Sequence, residues 1–255
     1  MSTPDLVLLL LAALAAGFVD AVAGGGGLIQ VPALITGLSG ELPATVFGTN
    51  KLASIFGTGS AAWRYARKVS LPWAIALPAA GSAFVFSFAG AASLAWLPKD
   101  VVRPLVLALL VAVMVYTLIR PAFGVADAVS PAPTFSRQRA LLIGVVLGFY
   151  DGFFGPGTGS FLIFAFVRWF GLDFLRASSA AKVVNFATNA AALAYFVPAG
   201  YVLVGVGAAM AVANVIGAQI GSRMAIRRGS GFVRWVFLLM AGALILRVGF
   251  DTFQS

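Results

Sequence analysis

Residues 6–38 read LVLLLLAALAAGFVDAVAGGGGLIQVPALITGL, and residues 140–170 read ALLIGVVLGFYDGFFGPGTGSFLIFAFVRWF. Each is an apolar run broken by a glycine cluster, Gly24-Gly25-Gly26-Gly27 in one and Gly155-Pro156-Gly157-Thr158-Gly159 in the other. A shift of 131 positions lays Gly17-Phe18-Val19-Asp20 on Gly148-Phe149-Tyr150-Asp151, Lys51 on Lys182, Gly90 on Gly221 and Arg103 on Arg234. Chance matches in apolar sequence supply Ala and Leu, not an Asp, a Lys and an Arg at one constant offset. The chain therefore reads as a tandem duplication, with repeats at 1–123 and 138–255 and a Pro/Ser/Ala-rich joining loop at 124–137.

Working outward, each repeat holds four apolar segments, at 6–38, 44–63, 71–97 and 101–119, then at 140–170, 177–197, 202–220 and 232–248. Of 255 residues 61% are hydrophobic and 10% charged, whereas soluble domains run nearer half and a quarter. A folded soluble chain of this size cannot hide that much apolar surface. No barrel-like series of alternating strands is present. The fold class expected is an all-α polytopic membrane protein forming one membrane domain. The run at 6–23 lacks a basic region before it and reads as a mature helix rather than a cleaved leader.

The absence of Cys and His excludes disulfides, thiolate or imidazole metal sites and Ser/His or Cys/His nucleophilic pairs. No cofactor, no metal and no enzymatic activity are expected. The net charge of +9 sits mostly in short loops between apolar runs, as in membrane proteins generally, so no nucleic-acid partner is expected.

Charge placement bears on topology. If each glycine-broken segment crosses the membrane, the repeats are parallel and the loop basic residues divide eight against seven. If each is a re-entrant hairpin, the second repeat is inverted, and twelve fall on one side against Lys99, Arg103 and Arg247 on the other. The positive-inside rule favours the second arrangement, inverted repeats of three crossings with both termini outside the cytoplasm.

Three matched pairs of charges stand within or at the edges of the apolar segments. Arg103 and Arg234 lie near segment ends and read as snorkelling anchors. Lys51 and Lys182 lie on the order of 10 Å inside their helices, where ionisable groups are costly and usually face a polar cavity. With Asp20 and Asp151 they form either a functional site or structural ion pairs between the halves. Asn50, Ser54 and Thr58 accompany the first lysine, and Asn185, Thr188 and Asn189 the second, giving a polar stripe. Gln30, Asn214 and Gln219 are weaker candidates, since single amides often bridge helices. The glycine clusters serve either close helix packing or an anion seat, where freed N–H groups at Gly25, Gly26, Gly27, Gly157, Thr158 and Gly159 meet the positive end of the following half-helix. The second cluster lacks the Lys-Ser/Thr ending and the preceding strand of a phosphate-binding loop.

The blocks GFVDAVAGGGGLIQVPAL, TNKLAS, GFYDGFFGPGTGSF and AAKVVNFATN resemble the sulfite exporter TauE/SafE family over nearly the whole chain. That resemblance implies about eight helices and a bacterial inner-membrane permease exporting sulfite, organosulfonates or related carboxylates. The expected reading is a secondary transporter with a central site between the repeats. Lys51 and Lys182 supply charge, Asn50, Asn185 and Asn189 hydrogen bonds, and Asp20 and Asp151 position the lysines or carry a coupling proton. Its partners are a small anion and the lipid bilayer, and a homo-oligomer is left open. An uncoupled anion channel and a membrane component without transport activity are the rival readings.

Overall fold

A computed structural model describes residues 3–97 and 137–253. The expected segment at 101–119, the joining loop at 124–136 and the Arg103/Arg234 side chains lie outside what is described.

Among the described residues the fold is all helix: α1 Thr3–Ala23, α2 Gly27–Gly37, α3 Pro43–Lys68, α4 Trp73–Trp96, α5 Arg137–Phe153, α6 Thr158–Phe170, α7 Phe174–Phe196 and α8 Val204–Phe253, the last interrupted at Gly229. Three of them, over Asp5–Ala23, Trp73–Trp96 and Val204–Val233, are long and apolar enough to cross a membrane. Large apolar side chains such as Leu11, Val85, Val146 and Val212 stand more than half exposed on their outer faces. Such surface suits lipid and not water.

Local chemistry explains the boundaries. Pro43 opens α3, where its fixed φ fits and its missing N–H costs nothing. The Asp173 carboxylate accepts from the N–H groups of Leu175 and Arg176 at 3.0 Å each, an N-cap that starts α7 ahead of the apolar run at 177. Lys182 thereby stands as far into α7 as Lys51 does into α3. The helices outrun the apolar segments at ends carrying Arg64, Arg67 and Lys68 or Arg223, Arg227 and Arg228.

Close approaches fix the helix directions. Gly48 abuts Tyr201 and Gly57 abuts Asn214, so α3 and α8 advance together; Gly17 against Asn214 and Gly221 against Phe18 add α1 to that set. Gly144 packs on Ala79, Gly148 on Ala83 and Gly152 on Ser87, so α4 and α5 also advance together. Gly48 meets Phe196 whereas Gly59 meets Phe186, so α3 and α7 run in opposite directions. Helix α2 doubles back along α1, bringing Gly26 beside Ala16 and Asp20, and Gly37 beside Leu9.

One end gathers the loops at 69–72 and 171–173 and the interruption of α8 at Gly229. There Arg176 Nε donates to the Ser70 carbonyl at 3.3 Å, and Ser230 Oγ donates to Asp173 at 2.9 Å. Apart from Lys51 and Lys182, every Lys and Arg with a described side chain belongs to the helix ends or loops on this side, from Arg64 to Arg228. The opposite end carries the loops at 38–42 and 197–203, tied by the Leu203 N–H donating to Thr49 Oγ1 at 3.0 Å.

Because the chain has no native cysteine, single-cysteine variants can read sidedness with an impermeant thiol reagent. Gly40→Cys and Ala199→Cys are expected to label from one face of the membrane, and Ser70→Cys and Arg228→Cys from the other. Labelling of residues 40 and 199 from opposite faces would indicate parallel repeats instead.

Candidate functional site

The two glycine breaks cross at the centre of the molecule. Gly24 and Gly155 have φ of 80° and 94°, a left-handed region natural only to glycine. The backbones touch there: a β-carbon at Gly24 would collide with Gly159 and one at Gly159 with Gly24, while one at Gly27 would lie 3.1 Å from Pro156 Cα. The Ser160 N–H donates to the Gly24 carbonyl at 3.1 Å, joining one break to the other.

A helix end leaves carbonyls without partners, and away from water each must be satisfied. The last turn of α1 is completed by three hydroxyls from three other helices. Tyr65 donates to Ala21 at 2.9 Å, Ser178 to Val22 at 3.1 Å and Ser160 to Ala23 at 2.9 Å. In the second break the Thr158 hydroxyl donates to the Gly155 carbonyl at 2.7 Å, and Tyr150 to that of Pro156 at 2.7 Å. On the donor side, among the described residues no backbone acceptor is paired with the N–H of Gly25, Gly26 or Gly157.

Around this crossing the lysines and aspartates pair between segments far apart in the chain. Lys51 Nζ lies 2.7 Å from Asp151 Oδ2, and Lys182 Nζ 2.9 Å from Asp20 Oδ2. Lys51 is 2% exposed and Lys182 0%. Asp20 is the most open of the four, with a side chain 20% exposed. It also accepts from Thr58 Oγ1 at 3.3 Å. Lys51 Nζ sits directly on the second break, 3.1 Å from where a β-carbon of Gly155 would stand.

A cavity of about 40 Å³ occupies the space between them. Of the residues expected from the sequence, Asp20, Gly26, Gly27, Asn50, Lys51, Asp151, Thr158, Gly159, Asn185 and Asn189 line it. Lys182, Gly25 and Gly157 stand behind the wall, Lys182 acting on the cavity through Asp20. Thr188 turns away, donating to the Asn185 carbonyl at 3.0 Å while its own carbonyl accepts from Ser87. Gln219 pairs with Arg64 and does not line the cavity.

Asn214 lines the cavity and is more central than sequence reasoning made it. It donates to Gln30 Oε1 at 2.9 Å, and Gln30 Nε2 donates onward to the Asn50 carbonyl at 3.4 Å. The legible signal was an amide alone in an apolar helix. The glycines that make room for it, Gly17 and Gly57, lie far away in sequence.

The buried pairs make a sharp energetic prediction. Removing one partner strands a charge, at a cost of about 3–5 kcal/mol. Lys182→Met is expected to lower unfolding stability of the detergent-purified protein by about that much. Adding Asp20→Asn should recover part of the loss. Strictly additive losses would mean that the two groups do not interact.

The family model for the sulfite exporter TauE/SafE family matches residues 9–248. Among curated proteins, the chain is 37% identical to a probable membrane transporter protein, ORF9, of Sinorhizobium sp, over 95% of this chain and 92% of that one. It is 32% identical to the probable membrane transporter protein YfcA of Escherichia coli strain K12, over 94% and 88% of the two chains. A probable membrane transporter protein of Haemophilus influenzae is 34% identical over 92% and 91%. No solved structure matches. With a match running almost from end to end and relatives aligned over most of their own length, the chain belongs to the sulfite exporter TauE/SafE family.

Proposed function

We propose that this membrane transporter carries small oxyanions such as sulfite, organosulfonates or small carboxylates out of the cytoplasm, through the central cavity. One observation carries the reading: two lysines, buried where the glycine breaks cross, are each paired, among the described residues, with an aspartate from the other half of the chain. An arriving anion competes with those aspartates for the ammonium groups, and so loosens contacts between the halves. The N–H group of Gly26, at the positive end of α2 and on the cavity wall, offers a further anion contact.

The volume sets the scale of the substrate. At roughly 10–15 Å³ per water-sized centre, a cavity of about 40 Å³ suits an anion of a few heavy atoms. Its four charged groups sum to zero, so a bound anion leaves one negative charge in excess. Protonation of Asp20 or Asp151 restores neutrality, which makes proton-coupled carriage the favoured mechanism over an uncoupled channel.

In this reading each of α1–α2 and α5–α6 is a re-entrant hairpin entering from its own face of the membrane. The opposed directions of α3 and α7 support inverted repeats. The end rich in Lys and Arg faces the cytoplasm of a bacterial inner membrane. Alternating access comes from one repeat rocking on the other about the fixed crossing. The family's description as a sulfite exporter and the relatives' names as probable membrane transporters agree with it.

Proteoliposomes loaded with radiolabelled sulfite test the proposal. Wild-type protein is expected to accelerate efflux, with the rate responding to an imposed pH gradient. Lys51→Ala, recovered as a monodisperse protein, should fall to the rate of empty liposomes. Full-rate efflux by that variant would remove Lys51 from the mechanism, and a flux indifferent to the pH gradient would favour a channel.

A further inference from the structure

We infer that the cavity selects oxyanions that also carry a hydrogen-bond donor, an O–H or N–H close to the charged group, and that Asn50 and Asn185 recognise it. This rests on the anion-carrier reading above and narrows its substrate class.

The side-chain oxygens of Asn50 and Asn185 are buried without a hydrogen-bond partner. The two residues are 5% and 7% exposed, and both line the cavity. An amide oxygen only accepts. Leaving it buried and unpaired is costly enough that native proteins rarely do so without cause.

Several nearby donors have partners of their own. Gln30 Nε2 reaches the Asn50 carbonyl and Ser54 Oγ at 3.4 and 3.5 Å. Asn214 Nδ2 is given to Gln30, the Thr58 hydroxyl to Asp20, and the two ammonium groups to the aspartates. Among the described residues no donor reaches either oxygen, so a donor on what enters the cavity finds two open acceptors.

A bare oxyanion offers acceptors alone and would meet two more acceptors. An anion bearing a hydroxyl or amine places negative oxygens toward Lys51 and the Gly26 N–H, and its donor toward the amides. The feature is also no by-product of the duplication. At the 131-residue offset Asn50 corresponds to Ala181, and Asn185 to Ser54. Each repeat contributes one amide from a position where the other has none, while the lysines and aspartates, and Gly24 and Gly26 of the first cluster, find their like at the same offset.

The test is titration calorimetry of the purified full-length protein with matched pairs differing by one hydroxyl: glycolate against acetate, and isethionate against ethanesulfonate. The hydroxylated member of at least one pair is expected to bind roughly tenfold more tightly, the value of one well-made hydrogen bond. That ratio should fall toward one in Asn50→Ala and in Asn185→Ala. Equal affinities within both pairs in the wild-type protein would overturn the inference while leaving the anion site standing. Binding of none of the four would remove both.

Discussion

The structure depends on satisfying two backbone breaks far from water. Interrupting α1 and α5 frees polar groups that bulk solvent cannot reach, so other helices must meet them. The solution is mutual. Gly24 accepts from Ser160 of the other repeat, and hydroxyls from α3, α6 and α7 complete the last carbonyls of α1. The charges obey the same rule, since neither lysine finds its aspartate within its own repeat. Each half is incomplete alone.

In the proposed mechanism that reciprocity is the physical route from binding to movement. The contacts most exposed to competition by an anion are the ones holding the halves together. Asp20, the most open of the four charged groups, is where such competition has access. The surroundings are stiffer: Gly144, Gly148 and Gly152 let α5 ride closely on α4, and Gly17, Gly217 and Gly221 do the same for α1 and α8. The helices before the two breaks are thus clamped closely to their neighbours, α1 to α8 and α5 to α4.

Much of this centre was legible in the sequence, because the duplication marks it twice. A lone Asp, Lys or glycine cluster in an apolar chain is ambiguous; the same three at a constant offset are not. The helical class followed from apolar content, and the polar stripe from spacing on α3 and α7. What stayed hidden depends on packing between distant segments. Nothing near Ser160, Ser178 or Tyr65 in sequence marks them as partners for the end of α1. Periodicity placed Thr188 with Asn185 and Asn189, but its hydroxyl bonds back to the Asn185 carbonyl and does not line the cavity. Asn214 looked like one amide among several until Gly17 and Gly57 showed the space made for it.

The central claim is that a small oxyanion sits between the two breaks, against Lys51. A crystal structure of the protein soaked with selenite, using anomalous scattering from selenium, addresses it most directly. The account predicts an anomalous peak inside the central cavity, within hydrogen-bond reach of Lys51 Nζ and the backbone of the glycine breaks. A peak confined to the arginine-rich end, with the cavity empty and both ion pairs undisturbed, would contradict it.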